Sequence, residues 1–476
     1  MRHLLPFLIA VTSLSATAAE PRPNIIVILC DDLGYGDLAC YGHPHIKTPN
    51  LDRMAREGVR FTSLYSAAPV CSPSRVGLLT GRSPNRAGVY DWIPSANLNT
   101  IRPDNRHKVH LQSDEVTLTQ MLASSGYATC VSGKWHCNAM FNTDAQAQPD
   151  DAGFQHWFAT QNNASPSHAN PVNYVRNGEP VGALEGFSCL LAVDEAIAWV
   201  DERPSHDQNP FFIFLPFHEP HEPVASPPEM VDAYREVSES RDQAEYFANV
   251  ANVDAAVGKL LTWLEETNRD KNTLVIFTSD NGPETLNRYK SANRSWGVPH
   301  PLRGMKLWTT EAGFRVPGIA RFPGQIPAGQ TVDEPVSSLD FFAIFAHLSG
   351  NTAPDDLDGE NSWPLFTGEG GFSREKPLLW GYFNAINEER VAMRYGNWKV
   401  LAKLDGGELP KFQNLHPGNA DQLRNATLTD IEIYQVSEDI AESKNLAQEN
   451  PEKLAELTKV LETSWAELVT DSPVWQ

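Results

Sequence analysis

Cysteine is scarce in this chain. Cys30, Cys40, Cys71, Cys130, Cys137 and Cys189 are the six among 476 residues, too few and too irregularly spaced for a disulfide scaffold or paired zinc knuckles. The sequence leaves a Cys130–Cys137 pair open. Basic residues are outnumbered: 38 Lys and Arg stand against 60 Asp and Glu, a formal net charge of −22. Nucleic-acid binding needs a basic stripe to displace phosphate counterions, so a nucleic-acid partner is excluded. The same charge repels anionic substrates at long range, and a bound one requires a local cation or basic cluster. Long apolar runs are missing too. Residues 4–14 form a short one between Met1-Arg2-His3 and the small residues Ala16-Thr17-Ala18-Ala19. That is the layout of an export signal cleaved near residue 19. No later stretch approaches the ~20 apolar residues of a spanning helix. The chain is therefore expected to be periplasmic or secreted, without a membrane span.

What is present reads as a large α/β protein. Hydrophobic residues at 41% and charged residues at 21% are an ordinary globular balance. Short β-branched or aromatic runs end abruptly in polar residues, as buried parallel strands do. Residues 24–30 end in Asp31-Asp32, residues 211–215 end at Pro216, and residues 273–278 lead into Asp280-Asn281-Gly282. Amphipathic stretches at 51–57, 117–125, 192–201 and 246–267 alternate with them. A large, mixed but mostly parallel sheet sandwiched by helices follows. Beyond a Gly- and Pro-rich stretch the pattern becomes antiparallel, with a hairpin at Gly396-Asn397, a strand at 431–436 and a helix at 451–467. The expected organisation is a signal at 1–19, a catalytic α/β domain at 20–350, a connection at 351–374 and a C-terminal α+β subdomain at 375–476.

The segment richest in chemistry is Cys71-Ser72-Pro73-Ser74-Arg75-Val76-Gly77-Leu78-Leu79-Thr80-Gly81. Ser72 is a good N-cap, Pro73 a good first helical residue and Gly81 a stop. Cys71 would thus sit just before a helix N-terminus, where amides and the helix dipole favour an anion, with Arg75 one turn on as a candidate catalytic cation that can reach back to residue 71 or its ligand. On position alone such a cysteine is usually structural. The run, however, resembles the Cys-x-Pro-Ser-Arg-x-x-x-Leu-Thr-Gly signature of type I sulfatases in the alkaline phosphatase superfamily, and Cys71, Pro73, Ser74, Arg75, Leu79, Thr80 and Gly81 match every specified position.

The resemblance implies that a formylglycine-generating enzyme oxidises Cys71 to formylglycine (3-oxoalanine), whose hydrate supplies the nucleophile. Asp31-Asp32 and Asp280-Asn281 resemble the family's two metal pairs. Alone, the first pair reads as a cap or solvated turn and the second as a turn. Together with residue 71 they offer oxygen donors suited to calcium rather than magnesium. Gly133-Lys134-Trp135-His136 resembles the family's Gly-Lys-Trp-His segment. If it is a strand, Lys134 and His136 share a face, the lysine on sulfate and the imidazole on residue 71. Pro220-His221 resembles the segment that protonates the leaving oxygen. Lys306, in Leu302-Arg303-Gly304-Met305-Lys306, is the implied second lysine on sulfate. In the accompanying run Glu311-Ala312-Gly313-Phe314-Arg315-Val316-Pro317, Ala312 replaces a usual glycine, and Glu311 and Arg315 read as structural.

Lys134, His221 and Lys306 are therefore the candidate substrate contacts, and the expected partner is a sulfated oligo- or polysaccharide. The loops 91–94 and 161–168 would line sugar subsites or be plain surface; both readings stand. These segments resemble bacterial sulfatases acting on algal galactans such as carrageenans. Rival readings are a formylglycine-dependent phosphonate monoester or phosphodiester hydrolase, and a non-catalytic glycan binder with unconverted Cys71.

Overall fold

The computed structural model describes residues 22–204, 207, 209–285 and 288–476; the expected export signal lies outside them. In chain order the strands are β1 (Asn24–Asp31), β2 (Val59–Tyr65), β3 (Ala128–Lys134), β4 (His156–Thr160), β5 (Val175–Arg176), β6 (Glu179–Pro180), β7 (Phe211–Pro220) and β8 (Thr273–Ser279). They continue as β9 (Arg315–Arg321), β10 (Gln330–Val332), β11 (Val336–Ser337), β12 (Leu378–Gly381), β13 (Val391–Tyr395), β14 (Trp398–Leu404) and β15 (Leu428–Gln435). The helices are α1 (Pro49–Glu57), α2 (Cys71–Thr80), α3 (Leu118–Ser124), α4 (Ser188–Asp201), α5 (Pro228–Tyr234) and α6 (Arg241–Glu266). After them come α7 (Glu311–Phe314), α8 (Asp340–Ser349), α9 (Trp363–Thr367), α10 (Ala420–Asn425) and α11 (Pro451–Asp471).

Among the described residues β1 to β11 form one sheet, ordered β10-β2-β9-β8-β1-β7-β3-β4-β5-β6 with β11 beside β2. The centre β8-β1-β7-β3-β4 is parallel throughout, and β9 is antiparallel to both its neighbours. The mixed, mostly parallel sheet expected from sequence is the one observed. Its two faces explain why β1 reads as an unbroken apolar run. Ile25, Val27 and Leu29 pack into one layer with α2, α3 and α8, and Ile26, Ile28 and Cys30 into the other with α1, α4 and α6. Each such side chain contributes about 1.5–3 kcal/mol on burial. All six cysteines are free; Cys130 faces the second layer and Cys137 the first, so the pair left open is not formed.

Strand β7 runs on through Pro216, where the sequence suggests an end. Neighbouring β3 pairs with it only as far as Phe214, so no ladder partner is lost to the proline's missing N–H. The Pro216 carbonyl instead abuts Gly133, where a Cβ would come within 2.0 Å of it, and Gly133 has φ 135°. Only glycine fits there.

The four-stranded antiparallel sheet β12-β13-β14-β15 is the C-terminal unit, its hairpin at Gly396-Asn397 and its helix α11 as expected. Leu457, Leu461, Trp465 and Leu468 of α11 pack on it. Residues 351–374 are not a bare connection. They carry α9 and place Leu357, Trp363, Leu365 and Phe366 in the main core. A shared apolar cluster joins the sheets, in which Phe314 stacks on Trp380 at 4.1 Å between ring centroids.

Candidate active site

The site forms at the carboxyl ends of β1, β8, β7 and β3, the edge of an open parallel sheet where crevices form. Asp31 ends β1 and Asp32 follows it, Asp280 and Asn281 follow β8, His221 follows β7, and Lys134 ends β3. Adjacent registers bring these ends together: Cys30 pairs with Ser279 and Asp31 with Pro220. Gly282 permits the close approach, since a Cβ there would meet the Ala312 carbonyl at 1.6 Å. The chain carries left-handed backbone at Asp32 (φ 66°), His136 (φ 54°) and Leu307 (φ 66°), the kind of strain that collects at functional sites. Lys134 and His136 do not share a strand face, because β3 ends at Lys134 and the left-handed turn at His136 redirects that ring.

Helix α2 begins at Cys71, with Val70 as its N-cap, two residues before the expected start. Ser72 is not a cap; its Oγ accepts from the Ile93 amide at 2.9 Å and ties the 91–94 loop to the helix. Cys71 nevertheless lies in the first turn, among unpaired amides. The helix is buried along its length, which explains the motif's small and apolar positions.

Charge is dense and almost wholly buried. Arg75 donates from Nε and Nη2 to Asp280 Oδ2 at 2.9 and 2.7 Å, and from Nη1 to the Lys134 carbonyl at 2.7 Å. Lys134 donates to Asp31 Oδ2. Lys306 donates to Asp32 Oδ2 at 2.7 Å, and Asn281 Nδ2 to Asp32 Oδ1 at 2.7 Å. Burial acts to raise Asp31, but Lys134, then His221, Arg75 and Lys306, hold its carboxyl well below the usual range. Burial and then Asp31 push Asp280 up to about 7, against Arg75. Burial pushes the Cys71 thiol up to about 11, despite both lysines. His136 is held neutral by burial, then by Lys134 and Arg75. Its Nε2–H donates to the Ile93 carbonyl at 3.0 Å, which leaves Nδ1 as a buried lone pair without a partner. His221 is oriented by Nδ1–H donation to the Glu222 carbonyl at 2.7 Å, with Nε2 3.6 Å from Asp32 Oδ2.

Two acceptors bear on a metal. Asp31 Oδ1 and Asn281 Oδ1 are buried and have no hydrogen-bond partner, although buried oxygens are ordinarily satisfied. Ligand atoms of Asp31, Cys71 and Asp280 lie within 4.8 Å of one another, as do those of Asp31, Asp32 and His221. Anionic and amide oxygens left open in one place suit a hard cation. The residues present fit one.

A cavity of about 300 Å³ opens onto Cys71, His136, His221 and Lys306. Trp92 and Asn163, from the two loops of uncertain reading, line it as well; Asn163 Oδ1 also accepts from Lys134 at 3.4 Å. Arg288 and Tyr289 complete the rim. Sequence reasoning missed these two, because they sit on an irregular segment after β8 with no motif; their spacing from Asp280-Asn281 was the only available signal.

The sulfatase family profile matches residues 23–351, and that of the N-sulphoglucosamine sulphohydrolase C-terminal region matches residues 305–404. N-acetylgalactosamine-6-sulfatase of Rattus norvegicus is 34% identical over 414 residues, covering 83% of this chain and 74% of the relative. Arylsulfatase A of Homo sapiens is 33% identical over 413 residues, 82% of this chain and 76% of the relative. Among solved structures, Ps i-CgsB in complex with k-i-k-neocarrahexaose superposes with a TM-score of 0.77 at 26% identity, covering 95% of this chain and 94% of that one. The chain belongs to the sulfatase family, as a type I member of the alkaline phosphatase superfamily. It is a sulfuric ester hydrolase.

Proposed function

We propose that this chain is an exported enzyme that removes sulfate from a sulfated glycan, an algal galactan such as carrageenan, with formylglycine made from Cys71 as nucleophile and calcium as cofactor. The observation that carries the reading is the pair of open oxygens on Asp31 and Asn281, in the same buried cluster as residue 71. The neocarrahexaose complex of one structural neighbour and the N-acetylgalactosamine in the name of one relative both favour galactose-type sugars.

Burial, which pushes the Cys71 thiol up, leaves the unconverted side chain a poor nucleophile at neutral pH. Calcium, held by Asp31, Asp32, Asp280 and Asn281, would supply Lewis acidity to the oxygen of that residue. Formylglycine at residue 71 would supply, as its hydrate, one hydroxyl as nucleophile and a second able to give up a proton for sulfate release. Lys306, which lines the cavity, Lys134, buried on Asp31, and the α2 amides would supply the donors for the sulfuryl oxygens, each preorganised donor being worth about 3 kcal/mol. Arg75 locks Asp280 and the Lys134 backbone in place. His136, neutral with a bare Nδ1, takes the proton from the second hydroxyl. His221 gives a proton to the leaving sugar oxygen from Nε2.

Four measurements test this. Intact-mass analysis of the peptide holding residue 71, from the native host, should show the aldehyde in place of the thiol; uniformly free thiol would leave a glycan binder. Defined sulfated oligosaccharides should release sulfate, with position-resolved products naming the hydroxyl. Parallel rates on sulfate and phosphate esters of one alcohol should favour sulfate; the reverse order would install the phosphonate or phosphodiester reading. Cys71→Ser should give at most a stalled covalent sulfate, and sustained turnover by it would contradict the scheme.

A further inference from the structure

The chemistry above leaves the mouth of the cavity unused. Arg288, Tyr289 and Trp92 line the cavity without a part in that chemistry. Trp92 is 36% and Tyr289 44% exposed. Arg106 lies over one face of Trp92 at 5.1 Å and Arg288 over Tyr289 at 6.0 Å; the remaining exposed aromatic surface suits the C–H face of a sugar ring. Arg288 has a different character. Buried Glu284 accepts from its Nε, at 3.0 Å, and from its Nη2, so one edge of the guanidinium is fixed while the side chain stays 30% exposed. A guanidinium has five N–H donors in a rigid fork, more than one carboxylate edge can take. Arginine so oriented is suited to bidentate recognition of an oxyanion. Arg75 and Lys134 give their donors to carboxylates or backbone within the cluster, whereas Arg288, fixed on one edge by Glu284, lines the cavity beside it.

We infer that Arg288 is a specificity-determining residue that binds a second anionic substituent of the glycan, on the sugar whose ester is cleaved or on the ring beside it, while Trp92 and Tyr289 cover the sugar's apolar face. This rests on the proposed function and narrows its substrate to doubly charged units. The second anion is a sulfate ester or a carboxylate, two sources of the same oxyanion chemistry.

The test uses the mature enzyme on three substrates: a galactose monosulfate, the same sugar bearing two sulfates, and a monosulfated disaccharide with a uronate neighbour. Wild type should favour at least one doubly charged substrate by about tenfold or more in kcat/KM, and the one favoured names the source. Arg288→Gln should bring that ratio close to one, through KM rather than kcat, and Arg288→Lys should restore part of it. The inference is overturned if wild type shows no preference, if the preference survives in Arg288→Gln, or if that variant loses kcat equally on all three. A wild-type enzyme that cleaves none of these but does cleave an aryl sulfate overturns the glycan reading and this inference together.

Discussion

Asp31 and Glu311 are two buried carboxylates, both fully removed from water and both held ionised by cations around them, yet they do different work. Glu311 engages both oxygens: Lys399 donates to Oε1 at 3.0 Å, Tyr65 and Arg315 to Oε2 at 2.8 and 3.1 Å. Lys399 belongs to β14 and Tyr65 to β2, so the group fastens the two sheets together. Asp31 engages one oxygen and leaves the other open. Filled acceptors make Glu311 a structural joint, whereas the open oxygen of Asp31, in one cluster with Cys71 and Asp280, makes it a candidate binding centre.

The comparison breaks most sharply on Asp31→Asn. That variant should lose at least ~10³-fold in kcat/KM, about 4 kcal/mol, together with any rise in thermal midpoint on adding calcium. Retained activity would make Asp31 another structural acid. Lys399→Met should do the opposite. Removing one partner of a buried pair costs about 3–5 kcal/mol, seen in denaturant unfolding, while the calcium response persists and activity per folded molecule stays within about threefold. Chelation of wild type comes next. At a calcium level about a hundredfold above its Kd, stripping the ion should lower stability by about 3 kcal/mol and abolish turnover. Calcium should restore both better than magnesium, and indifference to chelators would remove the cation from the scheme.

The smallest effect concerns Glu442, which borders the joint and donates nothing to the chemistry. Burial, against Lys399, pushes it up to about 7, above its ordinary value of 4.5. The folded state therefore holds more protons than the unfolded one between those values, and stability falls as pH rises through that window. The contribution is at most about 3 kcal/mol, present below pH ~4.5 and lost above pH ~7. Glu442→Gln should flatten that slope in unfolding curves taken across the window; an unchanged slope would place the titration elsewhere.

Much of this was legible beforehand. Carboxylates directly after β-branched runs had to fall at strand ends, and strand ends of a parallel sheet converge, so Asp31, Asp32, Asp280 and Asn281 belonged together. The 71–81 signature carried its own helix and stop. The failures have local causes. Val70 caps the helix with no side-chain signal, because its extended backbone is enough, and Ser72 was freed to hold Ile93. His136 left the strand face through a left-handed turn that no propensity marks. Pro216 stayed within β7 because the adjoining strand had already ended its pairing. Arg288 and Tyr289 belong to no motif, and only their spacing from Asp280-Asn281 could have pointed to them.

Asp91 is gripped by the Tyr382 hydroxyl and by Asn384 Nδ2, each at 2.9 Å, just after β12, the first strand of the small C-terminal sheet. Trp92 is the next residue, so an aromatic lining of the cavity is tied both to the C-terminal unit and, through Ile93 and Ser72, to helix α2. Substitutions at Tyr382 or Asn384 would therefore reset the position of Trp92 from outside the metal cluster, without replacing any residue of that cluster.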